Sequence, residues 1–219
     1  STVDPNWSAS LEKRLNDLGF LYLDAPISGG AAKAASGQIT MMTSGHADAY
    51  QKAENERKNS ELAAAKDLQN RLLPKTLPVV KNLDIAGYLR TSTEVGGDYY
   101  DFFEQPDGSL YAICGDATGH GTPSGMLVSI TKAGIIGLPQ LSPNDMLHEL
   151  NRVVKKVDLG ILRMSLNIAH LKGEVLTLSS AGMPPYFIYR AENNTTDEIM
   201  ISGIPLGSFN EVHFDQIVT

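Results

Sequence analysis

From His46 to Leu73 no residue breaks a helix, and within that run Gln51 to Glu61 is almost wholly polar. A helix polar on every side has no face to bury, so this stretch cannot belong to a core. Apolar spacing resumes at Leu62, Ala65, Leu68 or Gln69, and Leu72, before Pro74 and Pro78 end the run. A polar middle with apolar ends describes a solvated connecting helix, or a weak coiled-coil linker, between two bodies. The 219 residues therefore divide unequally, into 1–45, a linker over 46–74, and 75–219.

The two flanks differ in texture. In the first, Asp4 or Thr2 can cap a helix that Pro5 begins, Trp7, Leu11, Leu15 and Leu18 recur at helical spacing, and Gly19 stops it. Phe20–Leu23 and Gln38–Thr43 read as short strands, separated by the turn-rich loop Asp24–Gly30 and one helical turn over Ala31–Ser36. In the second flank, Leu83–Arg90, Gly97–Phe103, Leu110–Cys114, Met164–His170, Val175–Ser179 and Pro185–Arg190 read as strands. Pro106-Asp107-Gly108 and Lys172-Gly173 sit where hairpin turns belong. Two helices interrupt the strands, one from Thr122 or Pro123 towards Ile136, the other over Asn144–Val157 behind a Ser142-Pro143 cap. Antiparallel strands, two helices and more strands predict an α+β layered fold.

Composition narrows the functional classes. Apolar residues at 42% and charged residues at 20% describe a globular chain. With 18 Lys+Arg against 25 Asp+Glu the net charge is −7, and no basic stripe offers a nucleic-acid surface. The single cysteine, Cys114, excludes a disulfide framework and a cysteine-based zinc site. No uncharged apolar run reaches the roughly 20 residues that a membrane helix needs. The N-terminus lacks a basic-then-apolar signal pattern, so the expected location is the cytoplasm.

Two clusters hold candidate chemistry, Glu94-Val-Gly-Gly-Asp98-Tyr-Tyr-Asp101 and Gly115-Asp116-Ala-Thr-Gly-His120-Gly121. Asp116 directly follows an apolar strand and so belongs at a strand end. Asp98 follows two glycines and begins another strand. If the strands pair, the two carboxylates converge, and oxygen-only ligands of this kind suit Mg²⁺ or Mn²⁺. Taken alone, either cluster is also explained as an ordinary Asp-Gly turn. His120 could serve as a general acid or a phosphate contact, although a single loop histidine reads first as a structural residue. No P-loop, dinucleotide glycine loop or cysteine-phosphatase arginine is present, which leaves Cys114 a small buried apolar residue.

Leu68-Gln-Asn-Arg-Leu-Leu-Pro74, the two acidic clusters, Ser180-Ala-Gly-Met-Pro-Pro185 and Gly203-Ile-Pro-Leu-Gly207 occur in one order. Together they resemble the stress-response and sporulation branch of the PP2C-type (PPM) serine/threonine phosphatases, over about residues 61–219. The resemblance implies a sandwich of antiparallel β-sheets flanked by helices. It implies metal-dependent hydrolysis of phosphoserine or phosphothreonine, with Mn²⁺ or Mg²⁺ in a two-metal site and no phosphoenzyme. The implied substrate is a phosphorylated protein of the anti-sigma-factor-antagonist type. By position, Asp98 and Asp116 would be metal ligands, the Ala117 backbone carbonyl would complete the first ion's shell, and Asp101 is a secondary candidate. The preceding helix would carry signals from a sensor and makes a homodimer a natural expectation. Met183 stands where many relatives have His and receives no catalytic role.

The family's later Thr-Asp-Gly turn and closing Asp-Asp pair do not occur before Thr219, where only Glu211 and Asp215 remain downstream. A half-built site should bind ions weakly. Three expectations stay open: a truncated and weakened phosphatase, one completed by a partner, and an inactive phosphatase-like scaffold. The N-terminal flank resembles a different family. Phe20–Gly30 with Ala34 and Gly37–Gly45 is similar to the substrate-loop segment of β-hydroxyacid dehydrogenases of the 3-hydroxyisobutyrate and threonate types. There Ser28, Gly29 and Gly30 would bind a substrate carboxylate. The family's nucleotide loop and catalytic lysine segment have no counterpart in this sequence, so no NAD chemistry is expected, and a structural cap is the simpler reading. Two families joined by a helix describe a composite chain, whether an engineered fusion, a recombined gene or a fragment.

Overall fold

Tyr111, Ile113, Gly115 and Ala117 alternate with Ala112, Cys114 and Asp116 along one strand, and the first set is buried. That period of two gives the sheet a packed face and an opposite face that carries the acids. The structure, a computed structural model, describes residues 4–24, 27–28, 40–41, 44–45, 47–81, 83–90, 95–138 and 140–219. The chain forms two compact units, Ser1–Glu61 and Leu62–Thr219.

In the first unit, α1 (Pro5–Asp17) begins where Asp4 accepts a hydrogen bond from the Asn6 amide at 2.9 Å. Four two-residue strands follow: β1 (Leu23–Asp24), β2 (Ile27–Ser28), β3 (Thr40–Met41) and β4 (Ser44–Gly45). β1 pairs with β4 and β2 with β3, both antiparallel. The expected strand Phe20–Leu23 is thus only Leu23–Asp24, and the helical turn at 31–36 lies outside the described residues. Helix α2 (Ala47–Asn70) runs through the polar stretch and ends in the second unit. Its exposed middle carries Arg57 between Glu54 and Glu61, at 2.8 and 2.5 Å. Helical ion pairs of this spacing help a solvated helix that packing does not support.

The second unit is α+β. Its five-stranded antiparallel sheet contains β5 (Asp98–Glu104), β6 (Leu110–Ala117), β7 (Met164–Lys172), β8 (Val175–Ala181) and β11 (Gln216–Val218), in the order β11-β8-β7-β6-β5. β9 (Tyr186–Arg190) and β10 (Thr195–Ile199) form a separate antiparallel ribbon. Helices α3 (Thr122–Gly137) and α4 (Pro143–Val157) cover the packed face. α4 presents Leu147, Leu150, Asn151 and Val154 at helical spacing, with Ser142 as its N-cap and Asp145 in its first turn. Leu127, Val128 and Ile135 of α3 join Tyr99, Ile113, Leu166, Ile168, Leu206 and Phe214 in the same core.

In the second unit two strand expectations change. Segment 83–90 forms no ladder beyond an isolated bridge between Val80 and Leu83. It passes instead over Tyr100, so closely that a Cβ on Gly87 would lie 2.8 Å from that ring. β6 runs three residues past Cys114, which places Asp116 inside the strand rather than beyond its end. Among the described residues no helix is long and apolar enough to cross a membrane.

Candidate metal centre

The register of β5 on β6 sets Asp98 directly opposite Asp116, and Asp116 opposite Ser165 on β7. Laterally paired residues point to one face of a sheet, so the two carboxylates share the side that α3 and α4 do not cover. Both are exposed. Partial burial holds the Asp116 carboxyl above its ordinary value, and the neighbouring Asp98 charge adds to that shift. Cys114 is on the same face two residues away and is exposed there, because alternate β6 residues leave the packed side, so it is not the buried apolar residue expected. Burial first, then the charges of Asp98 and Asp116, push its thiol upward, so it is a poor nucleophile.

The backbone around the pair is tied on both sides. The Ala117 amide donates to the Gly97 carbonyl at 3.0 Å, and the Gly121 amide donates to the Val95 carbonyl at 3.1 Å. Gly121, at φ 77°, turns the chain from the acidic strand into α3. Gly97 matters through close approach. A Cβ built there would lie 2.3 Å from the Ala117 carbonyl oxygen and 3.0 Å from Asp116 Oδ1. Those two oxygens therefore converge on a space that any side chain at 97 would fill.

Gln69, in the last turn of α2, completes the arrangement. Its amide donates to the Gly96 carbonyl at 2.5 Å, and its Oε1 accepts from the Gly96 amide at 2.9 Å. The glycine before Gly97 is thus held at both backbone groups by one buried side chain.

The other sequence candidates lie elsewhere. Asp101 is three residues along β5 from Asp98 and so faces the packed side. It is 3% exposed, 2.6 Å from Lys132 Nζ, and accepts from Tyr99 Oη and the Phe102 amide, each at 2.9 Å. The structure does not bring it to the carboxylate pair. Burial, with the Asp101 charge and hydrogen bond, holds the Tyr99 phenol far above its ordinary value. His120 is exposed between Gly119 and Gly121. Ser28 is placed by its backbone in β2, and Gly29 and Gly30 lie outside the described residues. Among the described residues no three His, Cys, Asp or Glu side chains gather as a cation site. The chain brings together two carboxylates and one carbonyl, all hard oxygen donors that fit a hard divalent cation.

The family profile for Stage II sporulation protein E (SpoIIE) matches residues 106–218. The chain belongs to the SpoIIE family. Phosphoserine phosphatase RsbU of Bacillus subtilis is 30% identical to it over 161 residues, which are 72% of this chain and 48% of RsbU. The SiaA-PP2C domain of Pseudomonas aeruginosa shares the fold, with a TM-score of 0.57 at 18% identity, over 76% of this chain and 68% of that domain. PP2C phosphatases as a class depend on a metal. Residues 1–56 match the NAD binding domain of 6-phosphogluconate dehydrogenase. L-threonate dehydrogenase of Cupriavidus necator is 58% identical over 55 residues, 25% of this chain and 18% of that enzyme. The chain thus spans about half the length of RsbU and a small part of the dehydrogenase, and both sequence resemblances agree with these matches.

Three residues around the candidate centre carry little signal in the sequence. Gln69 occupied a helical position that an apolar residue could fill equally well. Lys132 is the lone charge in the otherwise apolar helix α3, and that isolation was its signal. Tyr99 was masked by its neighbour Tyr100. Asn151 of α4 is a buried hydrogen bonder: it accepts from the Gly207 amide at 2.8 Å and donates to the Phe209 carbonyl at 3.0 Å.

Proposed function

We propose that the second unit is a metal-dependent phosphoserine/phosphothreonine protein phosphatase, with Asp98, Asp116 and the Ala117 carbonyl as its cation ligands. The observation that carries this reading is the pairing of Asp98 with Asp116 beside the Gly97 cradle, in a chain of the SpoIIE family. The phosphatase domain is taken as 75–219, with 46–74 as its linker and 1–45 as the dehydrogenase-like segment. Bound Mn²⁺ or Mg²⁺ would polarise a phosphoryl oxygen and acidify a water for in-line attack. The protein residues supply the rest. The carboxylate pair concentrates negative charge that a bound cation would neutralise, and Gly97 leaves room for one. The bonds Gly121–Val95 and Ala117–Gly97 hold both acidic segments in register. His120, exposed on the adjoining loop, is the candidate general acid or phosphate contact.

The substrate class that fits is a phosphorylated regulatory protein of the anti-sigma-factor-antagonist type in the cytoplasm, with self-association through α2. The test is phosphate release from a phosphoserine protein in Mn²⁺ and in chelator. Metal-dependent release that Asp116→Asn abolishes supports the reading, and release indifferent to both rejects it. A second reading, a phosphatase-like interaction module, follows from the small number of candidate ligands among the described residues, because ligand number and charge set cation affinity. It expects phosphoprotein binding without release.

A further inference from the structure

The most unusual group off the carboxylate face is the partly buried ammonium of Lys132, paired with the buried Asp101. Its side chain is 19% exposed and its Asp101 partner 5%. Lys132 Nζ makes two bonds at once, to Asp101 Oδ2 at 2.6 Å and to the carbonyl of Leu72. Leu72 lies just beyond the end of α2, where helix carbonyls have no internal donor. The Leu72 amide in turn donates to the Gln69 carbonyl at 2.9 Å. One ammonium thus joins α3, β5 and the end of α2.

Each joined element leads into the candidate centre. β5 begins at Asp98, α3 begins after the Asp116–Gly121 segment, and the last turn of α2 carries Gln69 against Gly96. Apolar side chains could pack three elements together, but they would not choose one register. A charge with two named acceptors does, and a buried polar group is best attested in that role. We propose that Lys132 is a positioning residue for the carboxylate pair. By holding Asp101 and the Leu72 carbonyl together, it keeps Gln69 where it fixes Gly96, and through it Gly97 and Asp98. The proposal rests on reading Asp98 and Asp116 as the cation site.

The test compares the wild-type chain with Lys132→Met and with the neutralised double variant Lys132→Met/Asp101→Asn. Amide exchange is read first in metal-free protein, at Gly96, which bonds Gln69, and at Ala117, which bonds Gly97. The interior amides of β7 report global opening. Exchange at Gly96 should rise about tenfold or more beyond the change in β7 in both variants. Mn²⁺ affinity, read by electron paramagnetic resonance, should fall about 10- to 100-fold, as for the loss of groups that orient metal ligands. Equal change at Gly96 and β7, or wild-type exchange in the folded double variant, overturns the proposal. So does failure of both variants to fold, because the pair is then a purely structural element. If the wild type binds no Mn²⁺, the cation-site reading fails separately, and the metal-free exchange still decides whether Lys132 positions Gly96.

Discussion

Asp98 lies directly across the β5–β6 ladder from Asp116, so two carboxylates share one face of the sheet. Like charges so placed repel in the metal-free protein, and the Asp116 carboxyl, raised first by its partial burial, is raised further by that repulsion. The sign follows from linkage. A carboxyl raised in the fold favours folding in its protonated form, and that contribution is lost as pH rises through the raised value. Asp98→Asn should therefore leave the metal-free melting temperature unchanged or higher, while abolishing its increase with Mn²⁺. Thermal melts with and without the ion check both halves, and a large metal-free destabilisation would contradict them.

Gly97 is the second sensitive point. With Ala117 O 2.3 Å from the Cβ position, Gly97→Ala must push the two acidic segments apart. The substitution should lower Mn²⁺ affinity by about tenfold or more, the scale seen when groups around metal ligands are disturbed. Calorimetric titration of the variant checks this, and unchanged affinity would show that the cradle has no part in binding.

Gln69 is bonded to both backbone groups of Gly96. Gln69→Leu keeps the volume and strands a buried donor and acceptor, at a cost of about 1–3 kcal/mol for each group left unmade. Denaturant unfolding measures the loss. Gln69→Glu should fall between, because a carboxylate still accepts from the Gly96 amide but cannot donate to its carbonyl.

His170 gives a pH signature remote from the acids. Its ring stacks on Tyr111 at a 4.0 Å centroid distance and 5°, and its buried Nε2 has no hydrogen-bond partner. Burial holds its pKa below the ordinary histidine value, with the Asp107 charge opposing. A base lowered in the fold contributes stability that is full above its unfolded pKa, about 6.5. That stability is lost as pH falls through the lowered value. His170→Phe keeps the stack and should flatten the decline in melting temperature between about pH 7 and 5. An unchanged slope would assign the decline to other groups.

Much of this was legible in the residues. Hydrophobic period, capping signals and glycine punctuation placed the helices and the β5–β8 strands, because each rests on local preference. The two acids were legible as a pair once their strands were expected to meet. The shortfalls are all matters of pairing. Leu83, Ile85 and Leu89 alternate like a strand, yet segment 83–90 finds no ladder, since a strand exists only with a neighbour. β10 carries Thr195-Thr-Asp-Glu-Ile199, mostly exposed, and is held by β9 alone, so no apolar period announced it. Asp101 was a secondary ligand candidate by its position in the motif of the family resemblance. Three residues along a strand reverse the face, and the carboxylate went to Lys132.

A Mn²⁺ titration of the purified chain, followed by electron paramagnetic resonance and repeated with Asp116→Asn, tests the Asp98–Asp116 cation site most directly. Saturable binding in the wild type, lost in a variant that keeps its melting temperature within a few degrees (about 1 kcal/mol), is the expected result. Binding that survives Asp116→Asn unchanged, or no binding by the wild type, would contradict it.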